Sequence, residues 1–166
     1  MDSRRESNHL ITYKASEFFS KLLVPITIPP MEIAVIGKFI ALTPATSSPE
    51  LEKLAGQCVR AFEAYRSPLS DEQVTAYRAN KLTNHQDSML VHWGYPYVME
   101  EFRFHISLTE RIDDIAERRA LMMAVTDLAK PLTGKPVVIR DLAIFFQAER
   151  DHPMTILERI PFGRAT

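Results

Sequence analysis

The run Phe102-Arg103-Phe104-His105-Ile106-Ser107-Leu108-Thr109 sets a guanidinium, an imidazole and two hydroxyls at alternate positions. Successive side chains of a strand point to opposite faces, so Arg103, His105, Ser107 and Thr109 share one face and Phe102, Phe104, Ile106 and Leu108 the other. The apolar set is expected to enter a core against helices, on a strand that is central in its sheet. Four polar groups in a row on the remaining face fit two descriptions. One is a half-exposed strand with an incidental histidine. The other is a cleft for a polar ligand, since a solvated face more often carries Lys and Glu and buried polar groups need partners. The residue types suit phosphoryl chemistry. Arginine grips phosphoryl oxygens with a two-pronged fork. Histidine gives or takes a proton near neutrality. Ser107 lies roughly 7 Å along the strand from His105, with a hydroxyl that can hold a phosphoryl oxygen.

The elements that must position this strand can be traced along the chain. Residues 1–10 are polar and form a lead-in, and residues 11–166 are expected to form a single domain. Ile11 to Leu23 has a helical pattern, with Phe18, Phe19, Leu22 and Leu23 as its apolar positions, and Pro25 ends it. Glu32–Ile36 and Phe39–Thr43, joined by Gly37-Lys38, predict a hairpin, and their nearly unbroken apolar character places it centrally in a sheet. Ser47 or Ser48 followed by Pro49-Glu50 opens a helix that runs to about Tyr65 and is broken by Ser67-Pro68. A more polar helical stretch follows from Leu69 to His92, interrupted near Asn80–Thr83 and ended by Gly94-Tyr95-Pro96. The strand Glu101–Thr109 comes next. Asp113–Lys130 is then a helix, with Ile115, Leu121, Met122, Val125 and Leu128 inward. Val137–Gln147 and Met154–Pro161 form a last pair of strands. This order predicts an α+β protein with an antiparallel or mixed sheet.

Composition narrows the ligand. The chain has 166 residues and a formal net charge of −1, with 20 basic against 21 acidic side chains. Duplex nucleic acid is therefore not an expected partner, because it calls for a basic surplus. A small phosphorylated ligand needs only two or three local donors. The one cysteine, Cys58, sits in a helical pattern and reads as a small buried hydrophobe. No run reaches the roughly 18 apolar residues of a membrane span, and the first residues lack a signal-peptide core, so a cytoplasmic location without membrane contact is expected. Oligomeric state is not legible. His85 and His92 are seven residues apart, about 10.5 Å along a helix axis, too far to share a metal ion. Asp113, Asp114 and Glu117 suit a helix's first turn. Tyr95 and Tyr97 either line the mouth of a cleft or pack the turn around Pro96. Trp93 reads as a core anchor, Lys38 as a turn residue and His152 as exposed.

His105-Ile106-Ser107-Leu108 resembles the H-x-[ST]-x motif of the two-histidine phosphoesterases. The longer run Trp93-Gly94-Tyr95-Pro96-Tyr97, with Glu101-Phe102-Arg103-Phe104-His105, is similar to the branch of that superfamily known as phosphonate metabolism proteins, a domain of unknown function found beside carbon–phosphorus lyase genes. Gly37-Lys38-Phe39-Ile40-Ala41-Leu42-Thr43-Pro44 and Tyr65-Arg66-Ser67-Pro68-Leu69-Ser70 resemble it too. The resemblance implies a bilobal fold of the RNA ligase/cyclic phosphodiesterase kind. It also implies a phosphodiesterase that needs neither metal nor cofactor and acts on a small cyclic phosphate or related ester. One histidine would activate water and the other protonate the leaving oxygen, with Ser or Thr hydroxyls holding the phosphoryl group.

In this sequence His105 would be the general acid or base, and the Ser107 hydroxyl would donate a hydrogen bond to a phosphoryl oxygen. Arg103 would be an electrostatic clamp, with Thr109, Tyr97 and Arg66 as further substrate contacts. Members of the branch carry an earlier H-x-T motif ahead of the stretch that corresponds to Ile11. Here His9 is followed by Leu10-Ile11-Thr12, the wrong spacing. The expectation is thus an incomplete first lobe and weak or absent hydrolysis. The alternative is a non-catalytic module that binds a phosphorylated ligand or a partner.

Overall fold

The computed structural model describes residues 13–149 and 151–163. The polar lead-in, His9 and the start of the first helix lie outside the described residues. The elements run α1 (13–20), β1 (Ile26–Ile28), β2 (Met31–Ile36), β3 (Phe39–Pro44), α2 (Pro49–Phe62), α3 (Asp71–Arg78) and α4 (Asn84–Trp93). They continue with β4 (Ile106–Ser107), α5 (Ile115–Ala129), β5 (Val137–Ile139), β6 (Asp141–Phe146) and β7 (Thr155–Pro161). The protein is α+β with antiparallel sheets, and its backbone separates into two compact units. Among the described residues, one comprises Thr27–Arg60 and Ser67–Val137, the other 13–26, Ala61–Arg66, 138–149 and 151–163.

In the larger unit, β2, β3 and β4 form a three-stranded sheet in that order. The β2–β3 hairpin pairs Ile36 with Phe39 at its tip, where Gly37 takes a φ of 59° that a residue with a Cβ resists. Ile40, Ala41 and Leu42 of β3 are buried, so the central strand is covered on both faces. This satisfies the unbroken apolar run read from the sequence. Ser70 and Thr83 close capping boxes with Gln73 and Gln86, which start α3 and α4 and account for the break between them. Gly94 ends α4 in the left-handed region, at φ 73°.

Several expectations fail here for physical reasons. The strand expected over Glu101–Thr109 shrinks to Ile106–Ser107, because a 3-10 turn occupies Met99–Glu101 and the chain only then meets β3. β4 is also an edge of its sheet, not a central strand. Consequently Ile106 and Leu108 are 48% and 37% exposed, where a core position was expected, while Phe102 and Phe104 are half-buried. α5 packs on β2, the other edge of this sheet. The inward face assigned to α5 is likewise narrower than its pattern suggested. Met122 and Val125 are half-buried and Ala129 is buried, but Ile115 and Leu128 are 73% and 80% exposed.

In the smaller unit, Phe19 of α1 meets Phe62 edge to face, with ring centroids 5.5 Å apart. The expected strand Val137–Gln147 breaks at Arg140 into β5 and β6, and β6 pairs with β7 across a bulge at Ile144/Phe145. Ile160 and Phe162 are buried, and the Gly163 N–H donates to the Ser20 carbonyl.

Candidate functional site

The register of β3 against β4 sets the geometry. Ala41 pairs with Ser107 and Leu42 with Ile106, so Ser107 shares a sheet face with Ala41. Continued one residue beyond β4, the same register would bring His105 level with Thr43. The Leu108 N–H donates to the Ile40 carbonyl, and the Ile40 N–H to the Thr109 hydroxyl oxygen. Thr109 thus finishes the β-ladder, and its oxygen is partly committed to a structural bond.

His105 is exposed, and its Nδ1 lies 2.8 Å from the carbonyl oxygen of Arg103. A carbonyl only accepts, so this contact assigns the proton to Nδ1 and leaves the Nε2 lone pair outward. The imidazole is thereby oriented as a base through Nε2. Arg103 is exposed, and among the described residues its guanidinium has no hydrogen-bond or ion-pair partner. Ser107 is exposed as well. Neither His105 nor Ser107 is turned into an apolar interior.

Beside this strand lies a cleft of about 440 Å³, lined by Arg103 with Phe102 and Phe104, by Thr43 at the end of β3, and by Ser47, Ser48 and Glu52 around the start of α2. It contains Arg103 but not His105 or Ser107, which stand outside its rim. The Ser47 hydroxyl donates to the Glu52 carboxylate at 3.1 Å. Ser48 is buried immediately before α2, and among the described residues its Oγ has no hydrogen-bond partner. Sequence reading treated Ser47 and Ser48 only as helix starters and passed over Thr43 and Glu52. The signal was the hydroxyl-rich run Thr43-Pro44-Ala45-Thr46-Ser47-Ser48, denser than a helix start requires.

The remaining candidates sit elsewhere. Tyr97 packs edge to face on Tyr95 at 5.6 Å, and Tyr95 on Tyr77 of α3 at 5.8 Å. Burial and these neighbouring phenols push the Tyr95 hydroxyl up from its ordinary value. That cluster packs the turn around Pro96, and neither Tyr95 nor Tyr97 lines the cleft. Arg66 belongs to the smaller unit, where its guanidinium bonds the Glu63 carboxylate through Nε and Nη2. His85 approaches Glu100 at 3.7 Å, and His92 stacks edge to face on Trp93 at 4.7 Å. Among the described residues no group of three or more His, Cys, Asp and Glu is placed to hold a metal ion. No helix among them is long and apolar enough to cross a membrane.

A family model described as "Protein of unknown function (DUF1045)" matches residues 3–155. Two curated relatives carry the name "Ribose 1,5-bisphosphate phosphokinase PhnN". The one from Janthinobacterium sp. (strain Marseille) is 31% identical over 137 residues, covering 75% of this chain and 28% of the relative. The one from Laribacter hongkongensis (strain HLHK9) is 29% identical over 82 residues, 49% of this chain and 18% of the relative. The chain therefore spans less than a third of the length of these relatives. No solved structure matches.

Proposed function

The chain belongs to the DUF1045 family, and within it we propose a role in phosphonate metabolism as a metal-independent phosphoesterase of the two-histidine kind, supplying one half of the acid–base pair. The observation that carries this reading is the Nδ1 contact of His105 with the Arg103 carbonyl, which leaves Nε2 free to move a proton. Ser107, on the face that the register gives it, would donate to a phosphoryl oxygen. Arg103, without a partner among the described residues, would neutralise charge that develops there. The phosphonate association is supported by the named relatives, whose name describes handling of a phosphorylated sugar. Their kinase activity is not carried over. The pattern G-x-x-x-x-G-K-[ST], which cradles nucleotide phosphates, does not occur in these 166 residues.

Hydrolysis of a 2′,3′-cyclic nucleotide tests the proposal. With one histidine acting, turnover is expected about 10²–10⁴ below that of a complete acid–base pair. His105→Ala abolishes it. Residual turnover that His105→Ala leaves unchanged would overturn the reading.

A second reading, a phosphate-binding module without turnover, is favoured by one observation: among the described residues no histidine lines the cleft that holds Arg103. It predicts saturable binding that Arg103→Ala weakens more than His105→Ala does at high pH, where the imidazole is neutral.

A further inference from the structure

We infer that the cleft between the end of β3 and the start of α2 binds a phosphorylated polyol, with Arg103 on the phosphoryl group and Glu52 on the hydroxyls. Its lining is chemically divided. Arg103 brings a guanidinium without a partner among the described residues, and Phe102 and Phe104 bring apolar surface. Thr43, Thr46 and Ser47 bring hydroxyls, and Glu52 brings a carboxylate already held by Ser47. Ser48 adds a hydroxyl whose oxygen is buried and unpartnered, at the start of a helix of 14 residues. A buried polar atom without a partner is costly, and one rotation about its Cα–Cβ bond offers this one to a ligand.

The charge balance decides the ligand class. Arg103 and Glu52 cancel, so the cleft has no net attraction for a bare phosphate dianion, which meets a carboxylate as it approaches the guanidinium. A neutral sugar satisfies Glu52 and leaves Arg103 without a counter-ion. A ligand with vicinal hydroxyls at one end and a phosphoryl group at the other satisfies both, because carboxylates accept from hydroxyls and arginine donates in parallel to phosphoryl oxygens. Its carbon skeleton is left to Phe102 and Phe104. A volume of about 440 Å³ is within the range of small-molecule sites.

The inference goes beyond the proposed function by naming a ligand class for a cleft that His105 and Ser107 do not line. It rests on that reading only in giving Arg103 a phosphoryl partner, and His105 has no part in it. Calorimetric titration of the intact chain with ribose 5-phosphate, ribose and inorganic phosphate separates the possibilities. Ribose 5-phosphate is expected to bind at least tenfold more tightly than either other probe. Arg103→Ala should reduce it to the level of ribose. Glu52→Gln should weaken ribose 5-phosphate while leaving phosphate unchanged or tighter. Ser48→Ala should weaken it severalfold, and His152→Ala, an exposed residue that does not line the cleft, should leave binding intact. Equal affinity for phosphate and ribose 5-phosphate, no binding, or indifference to both Arg103→Ala and Glu52→Gln would overturn the inference. Binding as described without cyclic-nucleotide turnover would overturn the esterase reading alone.

Discussion

At the scale of single residues, two polar groups are held by identifiable partners. His105 is oriented by a backbone carbonyl two residues away, so His105→Gln keeps a polar side chain but loses the titrating nitrogen. The expected outcome is loss of cyclic-nucleotide turnover with unchanged circular dichroism and unfolding midpoint. Asp113 is the second group. It pairs with Arg111 and with Lys38, which ties the hairpin tip to the loop ahead of α5. These hydrogen bonds lower its pKa from 3.8 to about 2. A depressed carboxylate stabilises the folded state in full above its unfolded value and loses that contribution as pH falls through its folded one. The stability difference between the native chain and Asp113→Asn should therefore be constant above about pH 4 and vanish toward about pH 2. Urea unfolding across that window reads it directly. The carboxylate is fully exposed, so salt should shrink the difference.

At the scale of elements, glycines separate tolerance from strain. A Cβ on Gly163 would stand 2.5 Å from the Lys21 carbonyl oxygen, a backbone atom that cannot turn away. A Cβ on Gly56, inside α2, would meet the tip of Arg60 at 3.2 Å and Met99 Sδ at 3.5 Å, both ends of flexible side chains. Helix propensity favours alanine over glycine by roughly 0.8–1 kcal/mol in a helix interior. Gly56→Ala is thus expected to be neutral or stabilising, and Gly163→Ala destabilising, as thermal unfolding midpoints would show. The sheet core gives a larger figure. Ile40 is wholly buried on the central strand, and Ile40→Ala should cost about 2–5 kcal/mol in urea unfolding. Ser70→Ala removes one half of a capping box at an exposed helix start and should cost about 1 kcal/mol.

At the scale of the molecule, exposed apolar side chains are numerous. Ile106, Leu108, Ile115, Met123 and Leu128 in the larger unit, and Phe145, Phe146, Met154 and Ile156 in the smaller one, are all exposed. A sheet edge at β4 and a two-stranded β6–β7 pair also leave backbone groups open to other strands. Mild urea should therefore raise light scattering before unfolding is complete, and replacing Phe145 and Ile156 by threonine should suppress that rise. The relatives' name sets a second expectation at this scale. With no phosphate-cradling glycine loop, the chain alone should transfer no label from γ-labelled ATP to a ribose bisphosphate.

Local chemistry made several features legible without coordinates: the hairpin around Gly37-Lys38, the start of α2 at Pro49, the break between α3 and α4, and the stop at Gly94. Each depends on dihedral preference or on a cap that acts within four residues. The alternating polar face expected of Arg103, His105, Ser107 and Thr109 is a different case: only Ser107 of the four lies on β4, and Arg103 lines the cleft together with Phe102 and Phe104. Tertiary structure alone decided that β4 is a two-residue edge strand, because pairing depends on which distant segment lies alongside it. The same holds for the Thr109 hydroxyl, spent on Ile40, and for Arg103, which shares a cleft with Ser48 and Glu52. Burial and cleft lining belong to segments some fifty residues apart in the chain, and no periodicity within either segment encodes the other.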